Sequence, residues 1–181
     1  MFNYAFIVNS KGMDPESYSW KYENGEMDFR FFATSGLEMT KKYSKKLADE
    51  GFKYIDLCGD FTEDDAKQVA LHTESRIEVE YAKYFESELK KLERLPTLGE
   101  YGIIIMGEGI AEGTTKTEKV IGSEFNTTII IVGDDETAKA AAQGLVDSGV
   151  DFMELCSYFN EIKAGEIIEA INGAIPVGYC G

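Results

Sequence analysis

The chain has 181 residues, enough to bury a substantial core, and its 44% apolar and 28% charged side chains are ordinary for a globular domain. Its charge is not ordinary, because 33 acidic against 18 basic side chains give a formal net charge of −15. A field of that sign repels nucleic-acid phosphates and anionic membrane surfaces, so we expect neither nucleic acid nor a membrane as a partner.

The first predicted element is a strand over Tyr4–Val8. The first ten residues lack the basic residues and the small-residue cleavage site of a signal peptide, and no apolar run approaches the roughly eighteen residues of a spanning helix. The three cysteines, Cys58, Cys156 and Cys180, form an odd and sparse set that indicates reduced thiols. We therefore expect a cytoplasmic protein.

Strands then alternate with helices through the first half of the chain. A polar stretch of about twenty residues precedes a strand over Phe29–Ala33, and a capping box at Ser35 and Glu38 predicts the start of a helix. The pattern next predicts a strand over Tyr54–Cys58, a helix over Glu63–His72 that is capped by Thr62 and Asp65, a strand over Ile77–Tyr81 and a helix over Tyr84–Arg94.

The second half repeats the first at a spacing of 98 residues, so that Phe31–Tyr81 aligns with Ile129–Tyr179 without a gap. Cys58 and Cys156 are among the identical pairs. The repeat predicts strands over Tyr101–Met106, Thr127–Val132, Phe152–Cys156 and Ile175–Tyr179, a helix capped by Asp134 or Asp135, and a helix over Ile162–Ile171. We therefore predict two tandem copies, residues 1–97 and 98–181, packed as one compact unit.

Each copy has the predicted order β-loop-β-α-β-α-β, which implies right-handed crossovers and a mostly parallel α/β sheet. Ile55 and Leu57 alternate with Asp56 and Cys58, whereas an open sheet that is covered on both faces is expected to have continuously apolar strands. Because barrel interiors accept polar residues near the carboxyl ends of strands, the alternation favours a small eight-stranded, barrel-like α/β fold. The alternative is two similar open α/β sheets packed together.

Two segments, I-D-L-C-G-D-F at 55–61 and M-E-L-C-S-Y-F at 153–159, resemble the motif of a known family. That family is an uncharacterised one of small single-unit bacterial proteins, with an E-L-C-G-G-F-G motif after a helix that ends in D-x-G and with a final V-P-V-G strand. D-E-G at 49–51 and D-S-G at 147–149 match the helix end, and I-P-V-G at 175–178 matches the last strand in the second copy only. Since the family has no agreed reaction, the resemblance implies a fold and no function.

The motif glycines are only partly present in this chain. Gly59 is kept in the first copy but is followed by Asp60, and the second copy has Ser157 and Tyr158 instead. If the glycines let a ligand approach the backbone, both sites are altered here.

Six side chains near predicted strand ends are candidate ligand-binding residues: Asp56, Cys58, Asp60, Glu80, Glu154 and Cys156. Parallel α/β sheets bind ligands at the carboxyl ends of their strands, where both thiols are expected. Buried cysteine is more often a small apolar core residue, however, and no basic group adjoins either thiol to form a thiolate. His72 is the only histidine, which excludes most Ser-His-Asp, Cys-His and multi-histidine metal sites, and no catalytic residue is assigned.

Acidic residues of the first copy offer a second kind of site. Asp56, Asp60, Glu78 and Glu80 could converge at one end of the sheet and hold Mg²⁺ or Ca²⁺, although a solvated acidic face is the simpler interpretation. No cofactor or metal is assigned.

Two functions stay open. One is a small-molecule-binding or enzymatic module with a pocket at the C-terminal strand ends. The other is a non-catalytic scaffold or assembly protein, for which a homo-oligomer is possible.

A glycine-rich stretch, Gly107–Gly113, follows the first strand of the second copy, and Asp134 follows the second strand. The arrangement faintly resembles a dinucleotide-binding turn with its ribose-binding acid. Its glycine spacing is one residue too long, and Glu108 and Glu112 would face the pyrophosphate, which favours an ordinary loop. The first copy has Ser-Lys-Gly at 10–12 in this place.

Overall fold

The computed structural model describes every residue from 1 to 181. Its contacts divide the chain into two compact units, Met1–Ala82 (unit 1) and Lys83–Gly181 (unit 2). Each unit contains one five-stranded sheet that is open at both edges and only partly parallel. The predicted eight-stranded barrel is therefore wrong, and the alternative of two similar open α/β sheets describes the strands correctly.

Unit 1 has five strands and two helices. They are β1 (Phe2–Asn9), β2 (Ser19–Glu23), β3 (Met27–Thr34), α1 (Leu37–Asp49), β4 (Tyr54–Cys58), α2 (Glu63–His72) and β5 (Glu78–Tyr81). The strand order is β2-β3-β1-β4-β5, in which β2 is antiparallel and the other four strands are parallel. The chain thus leaves β1 toward one edge of the sheet and leaves β4 toward the other edge.

Both helices of unit 1 lie on one face of its sheet. α1 connects β3 to β4 and α2 connects β4 to β5, so two right-handed crossovers advance in the same direction and place their helices on the same side. One buried apolar cluster joins the helices to that face, made of Ala5, Ile7, Phe32, Leu47, Ala48, Phe52, Ile55, Leu57, Phe61, Ala66, Val69 and Ile77. Burial of this cluster is the main favourable term that holds α1 and α2 on the sheet.

The other face of the same sheet is aromatic and is also buried. Tyr4 stacks on Phe29 with ring centroids 5.5 Å apart, and the rings of Trp20 and Phe29 form a T-shaped pair with centroids 5.9 Å apart. Asp56 lies on this face, is 1% exposed and accepts a hydrogen bond from the Tyr4 hydroxyl. The polar residue in β4 that favoured a barrel is therefore a buried carboxylate that has a hydrogen-bond donor. The sheet that contains it is open.

Unit 2 has the same sheet topology and one additional helix at its start. Its elements are α3 (Glu86–Leu92), β6 (Glu100–Met106), β7 (Thr115–Ile121), β8 (Asn126–Val132), α4 (Asp135–Asp147), β9 (Phe152–Leu155), α5 (Glu161–Ala170) and β10 (Val177–Tyr179). The order β7-β8-β6-β9-β10 corresponds strand by strand to that of unit 1, with β7 as the antiparallel edge. Two halves of like topology are what a tandem duplication predicts.

The segment that contains α3 packs on β10. Lys83 pairs antiparallel with Tyr179 in an isolated bridge, and the Glu88 carboxylate, 2% exposed, accepts a hydrogen bond from the Val177 N–H at 3.2 Å. Lys91 donates to the carbonyl oxygen of Gly173 at 3.0 Å. These contacts assign residues 83–98 to unit 2, although in sequence they continue the first copy.

The helix starts show which local predictions hold. Thr62 and Asp65 form the predicted capping box of α2, and Asp134 caps α4. The capping box at Ser35 is wrong, because the N-cap residue of α1 is Gly36, one residue later, which has φ +88 and no side-chain cap. No helix of the chain combines the length and the apolar character that a membrane span requires.

Candidate functional site

Strands β3, β1 and β4 end side by side at one edge of unit 1. The register pairs Asn9 with Thr34 and Val8 with Cys58, so the three carboxyl ends lie level. Because the chain leaves β1 and β4 in opposite directions, their ends flank a topological switch point. Open α/β sheets bind ligands in the crevice at such a point.

Asn9 connects the loops that leave these strand ends. Its Oδ1 accepts a hydrogen bond from the Gly36 N–H at 2.9 Å, and its Nδ2 donates to Oδ1 of Asp60 at 2.6 Å. Gly36 is the N-cap residue directly before α1, and Asp60 lies in the loop between β4 and α2. One side chain thus fixes the distance between two loops.

Two glycines allow these loops their shape. Gly36 has φ +88 and Gly59 has φ +85, values that residues with a side chain rarely adopt. A Cβ on Gly59 would also lie 3.3 Å from the carbonyl oxygen of Asn9. The loop after β4 therefore approaches β1 closely because Gly59 has no side chain.

The loops enclose a solvent-open pocket of about 220 Å³, here called the carboxyl-edge pocket. It is lined by Asn9, Ser10, Lys11, Ser35, Gly36 and Asp60. None of these residues has an apolar side chain. The volume is below that of pockets that take drug-sized ligands, so the pocket fits a molecule of a few non-hydrogen atoms.

Hydrogen-bond donors outnumber anionic groups in the carboxyl-edge pocket. Lys11 is exposed and forms no ion pair, and the hydroxyls of Ser10 and Ser35 are able to donate. Gly36 places the positive end of the α1 dipole at the pocket wall. Asp60 is the one carboxylate in the lining. A small anion that also carries a hydroxyl group would find complementary groups here.

The sequence pattern predicts only Asp60 among the lining residues. Asn9 ends β1, and the other four directly follow β1 or β3; this position in the chain is the signal that identifies them. Their convergence depends on the strand order β3-β1-β4, which no local pattern contains.

The corresponding place in unit 2 is filled by the chain itself. A Cβ on Gly133 would lie 2.6 Å from the carbonyl oxygens of both Ile110 and Ala111, so the glycine-rich loop rests directly on the end of β8. At the four positions that can be matched, unit 2 has Met106 for Asn9, Gly133 for Ser35, Asp134 for Gly36 and Tyr158 for Asp60. The polar lining of the carboxyl-edge pocket is thus confined to unit 1.

Asp134 occupies the space that Gly36 leaves open in unit 1. Its carboxylate accepts hydrogen bonds from the Thr137 hydroxyl and from the N–H groups of Gly113 and Thr137, the last two at 2.7 Å. In that order, these bonds lower the pKa of Asp134 from 3.8 to about 2. Asp134 therefore holds the glycine-rich loop in place through Gly113. This structural role explains the acid after β8, and a nucleotide is not needed to explain it.

Asp56 and Glu154 occupy equivalent buried positions in the two sheets. Each is 1% exposed, and each accepts a hydrogen bond from a tyrosine of the central strand, Tyr4 and Tyr101 respectively. Glu154 also accepts one from Tyr84 at 2.6 Å. Because a buried carboxylate is costly without donors, these tyrosines stabilise the carboxylates. Neither carboxylate lines the carboxyl-edge pocket, and their assignment as ligand-binding residues stays a prediction.

The thiols of Cys58 and Cys156 lie at matching strand ends and are 0% and 3% exposed. The Met106 N–H donates a hydrogen bond to Sγ of Cys156 at 3.3 Å. All three cysteines are free thiols. Neither Cys58 nor Cys156 lines the carboxyl-edge pocket, nor does Glu80 on β5, so their ligand-binding role likewise stays a prediction.

The carboxylates of unit 1 do not gather into a metal site. Asp56 lies within the sheet, Asp60 is bound to Asn9 at the carboxyl edge, and Glu78 and Glu80 lie along β5. No group of three or more His, Cys, Asp or Glu side chains is placed to hold a metal ion. The predicted convergence of these acids is therefore not found.

A larger groove of about 400 Å³ lies between α1 and the β2–β3 hairpin. Two of its three cations are paired within unit 1, Arg30 with Asp28 and Glu50, and Lys21 with Glu23. Of its lining residues, only Pro15 and Glu16 lie in a loop that leaves the switch point between β1 and β4. We therefore regard the smaller carboxyl-edge pocket as the better candidate site.

One protein-family model matches the chain twice, over residues 2–97 and 99–181. Its description is that of a family of unknown function, DUF6506. The double match confirms the tandem duplication and the resemblance to an uncharacterised family of single units. Among curated proteins, none matches the chain.

Proposed function

The chain belongs to DUF6506, a family of unknown function, and from the geometry of unit 1 we propose that the protein binds a small anionic metabolite in the carboxyl-edge pocket. The observation that carries the proposal is a polar pocket at the topological switch point, with an unpaired lysine beside the start of a helix. Unit 2 lacks this polar lining, so the binding is assigned to unit 1 alone.

The lining groups indicate the chemistry of the ligand. Lys11 and the start of α1 favour a phosphate or carboxylate group. The carboxylate of Asp60 uses one oxygen for Asn9, and its other oxygen is able to accept a hydrogen bond from a ligand hydroxyl. A hydroxy acid or a small phosphorylated hydroxy compound combines both features within the volume.

The pocket supports binding better than catalysis. Its lining contains no thiol and no histidine, and the nearest cysteine of the motif, Cys58, is fully buried in β4. No hydrogen bond joins the hydroxyl of Ser10 or Ser35 to Asp60 or to Lys11, so neither serine is paired with a base that would activate it. We assign the pocket to recognition of a metabolite and place the protein in the cytoplasm, where three free thiols stay reduced.

Isothermal titration calorimetry with inorganic phosphate, glycolate and lactate tests the proposal. We expect saturable binding of at least one of these anions, weakened about tenfold in Lys11→Ala, which corresponds to ~1.4 kcal/mol. The matched control is Lys53→Ala, which removes the same charge from the opposite end of β4 and should bind like the wild type.

Asp60→Asn separates the two roles of this side chain in the pocket. The substituted amide still offers an oxygen to Asn9, but a negative charge is gone, so inorganic phosphate should bind about two- to fivefold more tightly at low ionic strength. Absence of binding by all three anions, or equal loss in the Lys11 and Lys53 variants, would overturn the proposed function.

A further inference from the structure

We infer that β7 of unit 2 is a self-association edge, at which two copies of this chain pair their β7 strands antiparallel about a two-fold axis at Thr117. β7 forms one end of its sheet and is hydrogen-bonded to β8 only. Alternate residues of such a strand direct their N–H and C=O groups outward, where a second strand is able to bind them. This inference is independent of the anion site in unit 1.

The exposure of β7 is unusually complete. Six of its seven residues are exposed, Val120 being the exception, and the preceding loop from Ala111 to Thr114 is exposed as well. The strand is long enough for five residues of pairing, and it contains neither proline nor a bulge that would obstruct a partner. Its backbone is therefore accessible to a second copy along its length.

The charges of β7 select one register. With Thr117 opposite itself, Lys116 of each copy lies directly opposite Glu118 of the other, which gives two cross-strand ion pairs. A shift that centres the axis on Glu118 would instead place two glutamates opposite each other. Lys116 and Glu118 have no ion-pair partner within the chain, so both are available.

The antiparallel edge strand of unit 1, β2, has no such free pair of opposite charges. β2 is five residues long, and its central Lys21 is already paired with Glu23 and Asp28. Isolated lysines on an edge strand normally keep copies apart. In β7 the alternation of Lys116 and Glu118 has the opposite effect, because antiparallel pairing brings unlike charges together.

Charge reversal tests this pairing. Sedimentation equilibrium in about 0.15 M salt, where the net charge of the chain is screened beyond ~8 Å, should show a concentration-dependent dimer. Lys116→Glu and Glu118→Lys should each raise the dimer dissociation constant about tenfold, since each puts like charges opposite one another. The double variant K116E/E118K restores unlike pairs and should dimerise like the wild type. A monomer at all concentrations, or a double variant as weak as the single ones, would overturn the inference.

A cysteine at the axis tests the register. Residues that face each other across an antiparallel pair have Cα atoms about 4.5–5.5 Å apart, within the range that a disulfide spans. Thr117→Cys should therefore form a disulfide-linked dimer under mild oxidation. Ile121→Cys is the control, since Ile121 is 66% exposed but lies eight residues from its symmetry mate along the paired strands. Cross-linking of Ile121→Cys or of Glu118→Cys in place of Thr117→Cys would contradict the register; the three native thiols are buried and do not compete.

Discussion

The side-chain amide of Asn9 donates a hydrogen bond of 2.6 Å to the carboxylate of Asp60. The two residues are 51 positions apart in the sequence, and the bond spans the ends of β1 and β4 at the point where the chain leaves these strands in opposite directions. The shape of the carboxyl-edge pocket therefore depends on one amide, which also accepts the N–H of Gly36.

Asn9→Leu keeps the approximate volume of the side chain and removes both of its hydrogen bonds. We expect the free energy of unfolding to fall by about 1–2 kcal/mol, because two modest, partly exposed bonds are lost. Anion binding should weaken with it, since the two loops lose their connection. Urea denaturation and calorimetry measure the two effects. Met106→Leu, the equivalent position in unit 2, exchanges one apolar side chain for another and should change stability by less than ~1 kcal/mol.

Tyr101→Phe removes a donor from the buried carboxylate of Glu154 and leaves the ring in place. We expect a loss of about 1–3 kcal/mol in the free energy of unfolding, because a carboxyl group at 1% exposure loses a hydrogen bond that water does not replace. Tyr22→Phe is the control, since the Tyr22 hydroxyl on β2 has no hydrogen bond within the chain. Equal effects of the two substitutions would mean that the hydrogen bond to Glu154 contributes nothing.

Gly178→Ala should displace the ring of Tyr84. A Cβ at this position would lie 2.5 Å from the ring, which is also held by its hydrogen bond to Glu154. We expect a destabilisation of about 1–3 kcal/mol from overpacking. Gly144→Ala in α4 is the opposite control: its Cβ would meet nothing within 4 Å, and alanine favours a helix, so stability should rise by up to ~1 kcal/mol.

Asp134 makes part of the stability of unit 2 depend on pH. Its pKa is lowered from 3.8 to about 2 by hydrogen bonds from the Thr137 hydroxyl and the Gly113 and Thr137 N–H groups. A lowered folded-state pKa contributes stability that is complete above the unfolded value and is lost as pH falls from about 4 to about 2.

Asp134→Asn should therefore be less stable than the wild type at pH 7, and the difference should shrink through that acid range. Urea denaturation at several pH values measures it. Glu112→Gln removes an exposed charge from the same loop and should show no such convergence. A constant difference between wild type and Asp134→Asn down to pH 2 would exclude the carboxylate as its cause.

The sequence predicts the parallel strands and all five helices because their side chains follow the periods of those elements. The edge strands β2 and β7 escape prediction, since Lys116 and Glu118 on β7 face solvent and have no apolar alternation. The barrel is wrongly predicted from Asp56, whose polarity is balanced by Tyr4, a residue 52 positions away. Polar periodicity within one strand does not reveal such a donor.

For the same reason, the sequence predicts only part of the candidate site. Asp60 stands out in the sequence because it replaces a motif glycine. Lys11 and Gly36 become neighbours only after β1 is inserted between β3 and β4, and that insertion is a property of the strand order. The difference between Gly36 and Asp134 is visible in the aligned copies, but its effect on space at the helix start appears only in three dimensions.

Amide chemical-shift mapping during a titration with inorganic phosphate tests the anion site most directly. Saturable shifts are expected for the backbone amides of Lys11, Gly36 and Asp60, while those of Gly133 and Asp134 at the filled counterpart in unit 2 stay unchanged. Shifts of equal size in both units, or shifts confined to residues outside the carboxyl-edge pocket, would contradict the proposal that unit 1 alone recognises an anion.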